Sequence, residues 1–251
     1  MPPPEEFDRR RFLRRAGVAA ALVVSFDDVS SIQASALPAM RRSKSPADRL
    51  RALQSGFGSS IGQWQAGDVP HSYPLPNGTT MWMLNDSFLS LAPNDPIGSK
   101  STFVRNTAIL ENQQAELSLL ESRHSYLDEG ERLLDRWWWF HGGHVQGDLL
   151  SVVTTQMVRR GPRGWAINFE PTTTWITTLQ WRTGRILKMQ PAPNYGVSPI
   201  YGFSVASDQQ WTYLYGNNHL YGRGTTENRV ARVPRGRLLA APTYWDGDAW
   251  T

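Results

Sequence analysis

Short segments rich in β-branched and aromatic residues, most of them four to eight residues long, dominate the chain beyond residue 63. Gly, Pro, Asn or Asp separates most of these segments, as is typical of turns between strands. A stretch with partial helix-like spacing, residues 107–120, is rich in polar residues, and we expect a strand followed by a loop there. We predict strands in TTMWML, LLSVVTTQMV, WAINF, TWITTLQW, RILKMQ, GFSVAS, WTYLYG and NRVARVP. The pattern indicates an all-β protein.

Three of these places share one arrangement, a strand followed by a tight polar turn and an apolar strand. Leu84, Val152 and Leu214 take similar positions in the second strand, at intervals of 68 and 62 residues. A recurring inner hairpin with further strands between predicts the blades of a β-propeller, although typical blades are shorter, about 40–50 residues. A β-sandwich whose hairpins share turn chemistry is the alternative. Three blades do not close a ring, since propellers usually have about 4–8.

The first forty residues have the order of an export signal rather than of a folded domain. Arg9 and Arg10 precede an eleven-residue, mostly apolar run over 16–26, and the small-residue sequence ASA follows at 34–36. This order predicts a twin-arginine signal over residues 1–36 and an exported, secreted or cell-wall-associated protein. An amphipathic helix with a basic start is the alternative. The run is too short to span a bilayer, which needs about 20 residues, so we expect no stable membrane anchor.

Composition narrows the possible functions of the remaining chain. Residues 37–62 are polar and have the character of a linker, which leaves 63–251 as the folded domain. The formal net charge of the whole chain is only +4, with few Lys/Arg clusters, so a nucleic-acid partner is not expected. The chain has no cysteine, which excludes disulfides, thiolate metal sites and cysteine nucleophiles. No cofactor-binding motif is present, and we predict neither a cofactor nor a metal.

The turn sequence PNG at 76–78 sets the register of the first hairpin. In a three-residue loop, a type I turn is followed by a residue with positive φ, which Gly78 accepts. Residue pairs across this hairpin then sum to 154, and Asp68 falls opposite Asp86 on the same side of the sheet. A two-residue Asn-Gly loop would instead place them on opposite faces.

Two carboxyl groups close together repel, so one of them should hold its proton more tightly than the other. That difference is what glycoside hydrolysis needs, namely a proton donor and a carboxylate that acts as nucleophile or base. Spacing alone leaves an alternative open, in which Asp68 binds turn amides and Asp86 caps the next loop. Glu170 is a spare acid and the rival to Asp86.

Several other residues are candidates for binding a sugar. Arg105 and Asn106 could donate hydrogen bonds to hydroxyl groups, or could equally bond one blade to the next. Trp137, the first of three consecutive tryptophans, is a candidate stacking surface, and core packing is favoured for Trp138. His141 and His144 have metal-like spacing, but no third ligand is near, so we favour a pocket wall, with His144 as a substrate contact.

The segment from 67 to 89, GDVPHSYPLPNGTTMWMLNDSFL, resembles the first blade of a family of exported five-bladed β-propellers that includes endo-D-arabinanases. Further matching segments occur in order over about 64–251: FVRNTAIL, GDLLSVV after RWWWF, WTYLYGN, and ENRVARVPRGRLLAAPTYWDGDAW. The resemblance implies a glycoside hydrolase that cuts arabinan or arabinogalactan of the cell wall. It also implies that the paired acids of the first blade, here Asp68 and Asp86, are the catalytic groups.

This chain departs from the family in three ways. The family's GDT is NDS here, so Asn85 replaces a glycine; the segment 111–136 is longer and more polar; and the last two blades are missing. We therefore expect a monomeric propeller of the five-bladed type that is incomplete at its C-terminus. The alternatives to a hydrolase are a non-catalytic carbohydrate-binding or scaffold propeller and a truncated, unstable remnant.

Overall fold

The computed structural model describes residues 64–90, 101–121, 124–128, 135–160, 169–217 and 228–251. All of them lie in one unit, Lys44–Thr251. The predicted export signal and linker lie outside these residues, as does most of the predicted strand WAINF. No helix in the described part of the chain is long and apolar enough to cross a membrane.

The described residues form strands and turns, without a helix, which confirms the predicted all-β class. The strands are β1 Trp64–Gly67, β2 His71–Pro74, β3 Thr80–Leu84, β4 Ser87–Ser90, β5 Ser101–Val104, β6 Thr107–Glu111, β7 Leu117–Leu119, β8 Arg136–Gln146, β9 Leu149–Arg159, β10 Phe169–Gln180, β11 Arg185–Pro191, β12 Ile200–Ser207, β13 Trp211–Asn217, β14 Asn228–Pro234 and β15 Thr243–Tyr244. The stretch 107–120 is a strand, a turn and a second short strand, close to the expected strand and loop.

Three of the four sheets are four-stranded and antiparallel and follow one another along the chain; the second and third are meanders of consecutive strands, whereas in the first the chain forms β4 and β5 between β3 and β6. The first sheet is β2-β3-β6-β7, the second is β8-β9-β10-β11 and the third is β12-β13-β14-β15. Each opens with one of the three hairpins that the sequence predicted to recur, and Leu84, Val152 and Leu214 are all buried in the second strand. The fourth sheet, β1-β4-β5, is a three-stranded extension of the first.

The register of the first hairpin is the predicted one. His71 pairs with Met83 and Pro74 with Thr80, so paired residues sum to 154. The amide of Leu75 donates to the carbonyl of Thr79 across a three-residue loop, with Gly78 at φ 80°. In β1 and β4, Gly67 pairs with Ser87, and the same register continues there.

The strands of the first sheet continue into the three-stranded extension after a short break. The breaks fall at 68–70 between β1 and β2, at 85–86 between β3 and β4, and at 105–106 between β5 and β6. Because neighbouring strands break at the same level, the two sheets meet at a line across the strands. Both predicted catalytic aspartates lie on this line.

Apolar side chains fill the space between successive sheets. Phe140 and Leu150 of the second sheet pack with Met81 and Met83 of the first, in one buried cluster. A second cluster joins Val153 and Ile176 of the second sheet to Leu214 and Val233 of the third. The second sheet therefore packs against both of the others.

The first strands of the three sheets lie side by side. Tyr73 on β2 donates its hydroxyl hydrogen to the carbonyl of His141 on β8. The His141 ring lies 5.1 Å from the ring of Phe203 on β12, measured between centroids, and 6.1 Å from that of His71. The first strands of the three sheets therefore contact one another around His141, and the contact between β2 and β8 positions the first sheet against the second.

Candidate active site

Asp68 and Asp86 are adjacent across the break in the first sheet. The amide of Asp68 donates to the carbonyl of Asp86 at 3.1 Å, and the amide of Asn85 donates to the carbonyl of Asp68 at 3.0 Å. Val69, between them and β2, has a φ of 43°, a conformation that non-glycine residues seldom adopt. The predicted juxtaposition of the two residues is therefore present, at a place where the backbone leaves regular strand geometry.

Asp86 is held by side chains from two other strands. One oxygen accepts a hydrogen bond from the Arg105 guanidinium at 3.1 Å, and the other accepts one from the indole nitrogen of Trp139 at 3.1 Å. The Asp86 side chain is 22% exposed. Burial is the largest effect and raises the pKa of Asp86 above its ordinary value, and the charge of Arg105 with the hydrogen bonds of Trp139 and Arg105 offsets only part of this rise.

Asp68 sits in a different environment although it is next to Asp86. Its side chain is open to solvent on one side and has no ion pair among the described residues. Partial burial and, next, the charge of Asp86 raise the pKa of Asp68 to about 6, against a smaller opposing effect of its own backbone amide. The site thus contains one carboxyl group that keeps its proton in mildly acidic solution and a neighbour that is paired with a cation.

Arg105 occupies its position because it rests on aromatic rings. Its guanidinium carbon lies 4.0 Å from the centre of a Trp137 ring and 4.8 Å from that of Phe103, which is cation–π geometry. The amide of Arg105 donates to the hydroxyl of Ser125 at 2.9 Å. Arg105 was predicted to contact sugar, and in the structure it holds Asp86.

Trp137 is not available as a stacking surface, contrary to the prediction. It is buried, at 2% exposure, beneath Arg105 and against Phe169. Trp138 points the other way into the core, as favoured, because consecutive strand residues face opposite sides. The member of the trio that reaches the site is Trp139, which lies against Phe169 with 5.0 Å between ring centroids. The sequence held a signal for this position of Trp139: if Trp138 faces the core, its neighbour on the strand faces the opposite side.

Asn106 is also misassigned as a substrate contact, because its side chain is fully buried. Its amide nitrogen donates to the carbonyls of Leu127 and Trp138, at 2.9 and 3.0 Å, and its amide oxygen accepts from the Leu127 amide at 2.8 Å. This is the alternative role, bonding between sheets. Asn85 makes the same kind of bridge to both main-chain groups of Phe140.

His144 lies away from the acids. It is five residues beyond Trp139 on β8, about 15 Å along an extended strand. Its Nδ1 is 3.2 Å from the hydroxyl of Ser207 on β12, and burial lowers its pKa. We therefore remove His144 from the candidate site; His141 points into the buried centre, with Nε2 bonded to the Thr155 hydroxyl at 3.0 Å.

Glu170, the rival acid, is exposed and paired with Arg160 at 2.7 Å. In the described part of the chain it makes no ion pair or hydrogen bond with Asp68 or Asp86, so it is a weaker candidate. Within the same residues, no group of three or more His, Asp or Glu is placed to hold a metal ion.

Comparison with known proteins gives a family and a shared fold. The sequence model of a family described as a domain of unknown function (DUF5005) matches residues 54–251. No curated protein matches the chain. A crystal structure described as a "putative hydrolase" from Bacteroides ovatus ATCC 8483 is similar, with 16% identity and a TM-score of 0.60 over 81% of this chain and 57% of that one.

A second structure, described as an ulvan lyase of the polysaccharide lyase family PL25, has 16% identity and a TM-score of 0.39. It covers 74% of this chain and 42% of that one. At this level of similarity only the first structure supports an argument, and it concerns the fold alone. The chain spans 57% of the length of that structure.

Proposed function

The chain belongs to the family described as a domain of unknown function (DUF5005), and we propose that it is an exported glycoside hydrolase of a cell-wall furanose polysaccharide. Arabinan or arabinogalactan is the proposed substrate, with an endo-D-arabinanase-like reaction. Support for the substrate comes from the resemblance of the first-blade sequence. Support for the reaction comes from the pair of acids.

The observation that carries the proposal is the unlike environment of two adjacent carboxyl groups. Asp86 has an arginine and an indole N–H as partners, whereas Asp68 has a pKa raised to about 6 and no ion pair in the described residues. Environments that separate the pKa values of two neighbouring acids assign the roles of proton donor and carboxylate. We assign the proton donor to Asp68 and the carboxylate to Asp86.

In the proposed reaction Asp68 gives its proton to the glycosidic oxygen as the bond from that oxygen to the anomeric carbon breaks. Asp86 either attacks the anomeric carbon or removes a proton from the water that does so. The first route returns the proton to Asp68 from water when the covalent intermediate is hydrolysed. The anomeric form of the first product, followed by NMR, separates the two routes because they give opposite stereochemistry.

We further propose that the three four-stranded sheets are successive blades of a β-propeller of the five-bladed type. Support comes from their consecutive order and from the contact of their first strands around His141. In such an arrangement the break in the first sheet opens at one end of the central strands, where a polymer has access. We also propose that the protein is a monomer and that it is exported by the twin-arginine route.

The test is release of oligosaccharides from arabinogalactan and arabinan by the purified protein and three variants. Asp68→Asn and Asp86→Asn should each lower the rate by about a hundredfold to ten-thousandfold, since each removes a group needed in the transition state. Glu170→Gln is the matched control and should cleave like the unsubstituted protein. Circular dichroism checks that all variants are folded.

Wild-type cleavage by either aspartate variant would remove that residue from the mechanism. If no polysaccharide is cleaved but one is bound, and both aspartate variants bind it equally, the protein is a carbohydrate-binding or scaffold propeller. In that case Arg105, Asp86 and Trp139 form a structural brace.

A further inference from the structure

The third sheet presents a row of side chains on the face that does not pack against the second sheet. Tyr215 pairs with Val230 across β13 and β14, and the amide of Trp245 donates to the carbonyl of Val230 at 2.9 Å. Directly opposed residues on neighbouring strands point to the same side. Tyr215 is 47% exposed and Trp245 is 42% exposed. Two large aromatic rings therefore flank a valine at the surface.

The composition of this face differs from that of the faces that pack between sheets. The buried face of the same strands carries Leu214, Ala231 and Val233. The outer face carries five aromatic residues, each with a polar group on the ring: Trp211, Tyr213, Tyr215, Trp245 and Trp250. Aromatic rings with hydrogen-bonding groups are typical of surfaces that bind a ligand in water, whereas the inter-sheet clusters of this protein are largely aliphatic.

The rings border a hollow of about 640 Å³, which is within the usual range for small-molecule sites. Tyr215, Val230 and Trp245 form its apolar part. Asn228 and Asp246 contribute polar groups to the same hollow. An apolar wall with a few polar groups at its edge matches a sugar ring, which has an apolar C–H face and a rim of hydroxyl groups.

The aromatic wall is held in place before any ligand arrives. Trp245 forms a β-bridge with Trp250, and their rings are 5.4 Å apart between centroids. Arg232 lies between Trp250 and Trp211, at 4.2 and 4.1 Å from the ring centres. One oxygen of Asp246 accepts from the amides of Asp248 and Ala249, which fixes the turn that carries Trp245. Preorganisation of this kind lowers the entropic cost of binding.

We propose that this hollow is an accessory saccharide-binding site, in which a sugar ring stacks on Trp245 and contacts Tyr215. The side-chain amide of Asn228 donates to a sugar hydroxyl group, and the carboxylate of Asp246 accepts from another. The site lies on the third sheet, whereas Asp68 and Asp86 lie on the first. The inference goes beyond the proposed hydrolysis and stands without it, because binding here uses neither aspartate.

The test is affinity gel electrophoresis of the full chain in gels that contain arabinogalactan, arabinan, xylan or mannan. All proteins carry Asp68→Asn, so that the polymer is not cut during the run. We expect at least one polymer to retard the protein, and Trp245→Ala to weaken that retardation by about tenfold or more, as loss of an aromatic anchor commonly does. Tyr215→Ala should weaken it less, and Trp245→Phe should restore most of it.

Leu187→Ala is the matched control, since Leu187 is 42% exposed on β11, outside the hollow. Thermal unfolding checks that Trp245→Ala is folded. Retardation that is equal with and without Trp245, or no retardation by any of the four polymers, overturns the proposal. Sedimentation velocity covers the other possible occupant: if Trp245→Ala instead converts a dimer to a monomer, the face binds a second copy of the chain.

Discussion

At the scale of single residues, the candidate site depends on the different surroundings of two neighbouring aspartates, Asp68 and Asp86. Asp86 is flanked by Arg105 and Trp139, and Arg105 in turn rests on Trp137. Substituting any of these partners should act on activity through the pKa of Asp86. Such an effect can be separated from a simple loss of folding because it moves the pH profile.

Replacing Arg105 by glutamine should shift the acidic limb of the kcat/KM profile to higher pH. The acidic limb reports the group that must be ionised, which is Asp86 in the proposed mechanism. Arg105 favours the ionised form of Asp86, so its loss raises the pKa of Asp86 and protonates it at higher pH. The measurement is hydrolysis of arabinogalactan across the acidic and neutral range.

The control for that experiment is Arg160→Gln, because Arg160 pairs with Glu170 and not with the candidate acids. Its pH profile should coincide with that of the unsubstituted protein. An Arg105→Gln profile that is lower at every pH but unshifted would contradict the assigned role. It would show that Arg105 only binds substrate or supports the fold.

The sequence was sufficient to bring the two aspartates together but not to find their partners. Register along a hairpin is set locally by the turn, so PNG determined which residues face Asp68. The contact between Asp86 and Trp139 depends on how two sheets pack, which no local pattern encodes. The burial of Asn106 and the distant place of His144 depend on the same packing.

At the scale of elements, Asn85 joins the first sheet to the second at the break that carries the acids. Its side chain accepts from the amide of Phe140 at 2.7 Å and donates to the carbonyl of the same residue at 3.2 Å. Asn85 is buried, at 1% exposure. Asn85 therefore supplies a bridge between strands β3 and β8.

Substituting Asn85 by glycine should lower the free energy of unfolding by about 2 to 4 kcal/mol, because two buried main-chain groups of Phe140 lose their partner. Urea denaturation measures this. Gln113→Ala is the control: its exposed amide makes one surface hydrogen bond, to the carbonyl of Asn77, and its loss should cost about 1 kcal/mol or less. Equal stability of Asn85→Gly and the parent would mean that water replaces the bridge.

The sequence predicted where most strands lie, but it did not predict the breaks within them. The pattern of β-branched and aromatic residues located β9 to β14 because each is bounded by turn residues. Residues 80–90 contain a nearly continuous apolar pattern, in which Asn85 and Asp86 resemble a turn or a strand end. The structure instead continues the strand in a second sheet, because β1 and β5 pair with β4 beyond the break.

At the scale of the whole molecule, two histidines lie where the first strands of the sheets meet. His71 and His141 are in ring contact with each other and with Phe203. Burial lowers the pKa of His71 to about 4, and burial together with the nearby His71 lowers that of His141 to about 3. Both are therefore neutral at the centre of the folded protein at neutral pH.

Acid should consequently destabilise the protein well before its carboxylates are all protonated. Above pH 6.5, the ordinary histidine pKa, these residues are neutral in both states and the full stability is present. As pH falls from there towards about 4 for His71 and about 3 for His141, only the unfolded chain takes up the protons. Stability then drops by up to about 1.4 kcal/mol per pH unit for each residue.

Urea denaturation between about pH 4 and pH 6.5 tests this, with Asp68→Asn as the common background. The background is needed because Asp68 has the opposite sign: its raised pKa contributes stability that is lost as pH rises towards about 6. In His71→Phe the free energy of unfolding should decline less steeply towards acid pH, because the unfolded chain takes up about one proton fewer. Phenylalanine keeps an aromatic ring at this position and does not titrate. If the slope of His71→Phe equals that of the Asp68→Asn background, His71 is protonated in the folded state, and the sheets meet around a charged rather than an apolar centre.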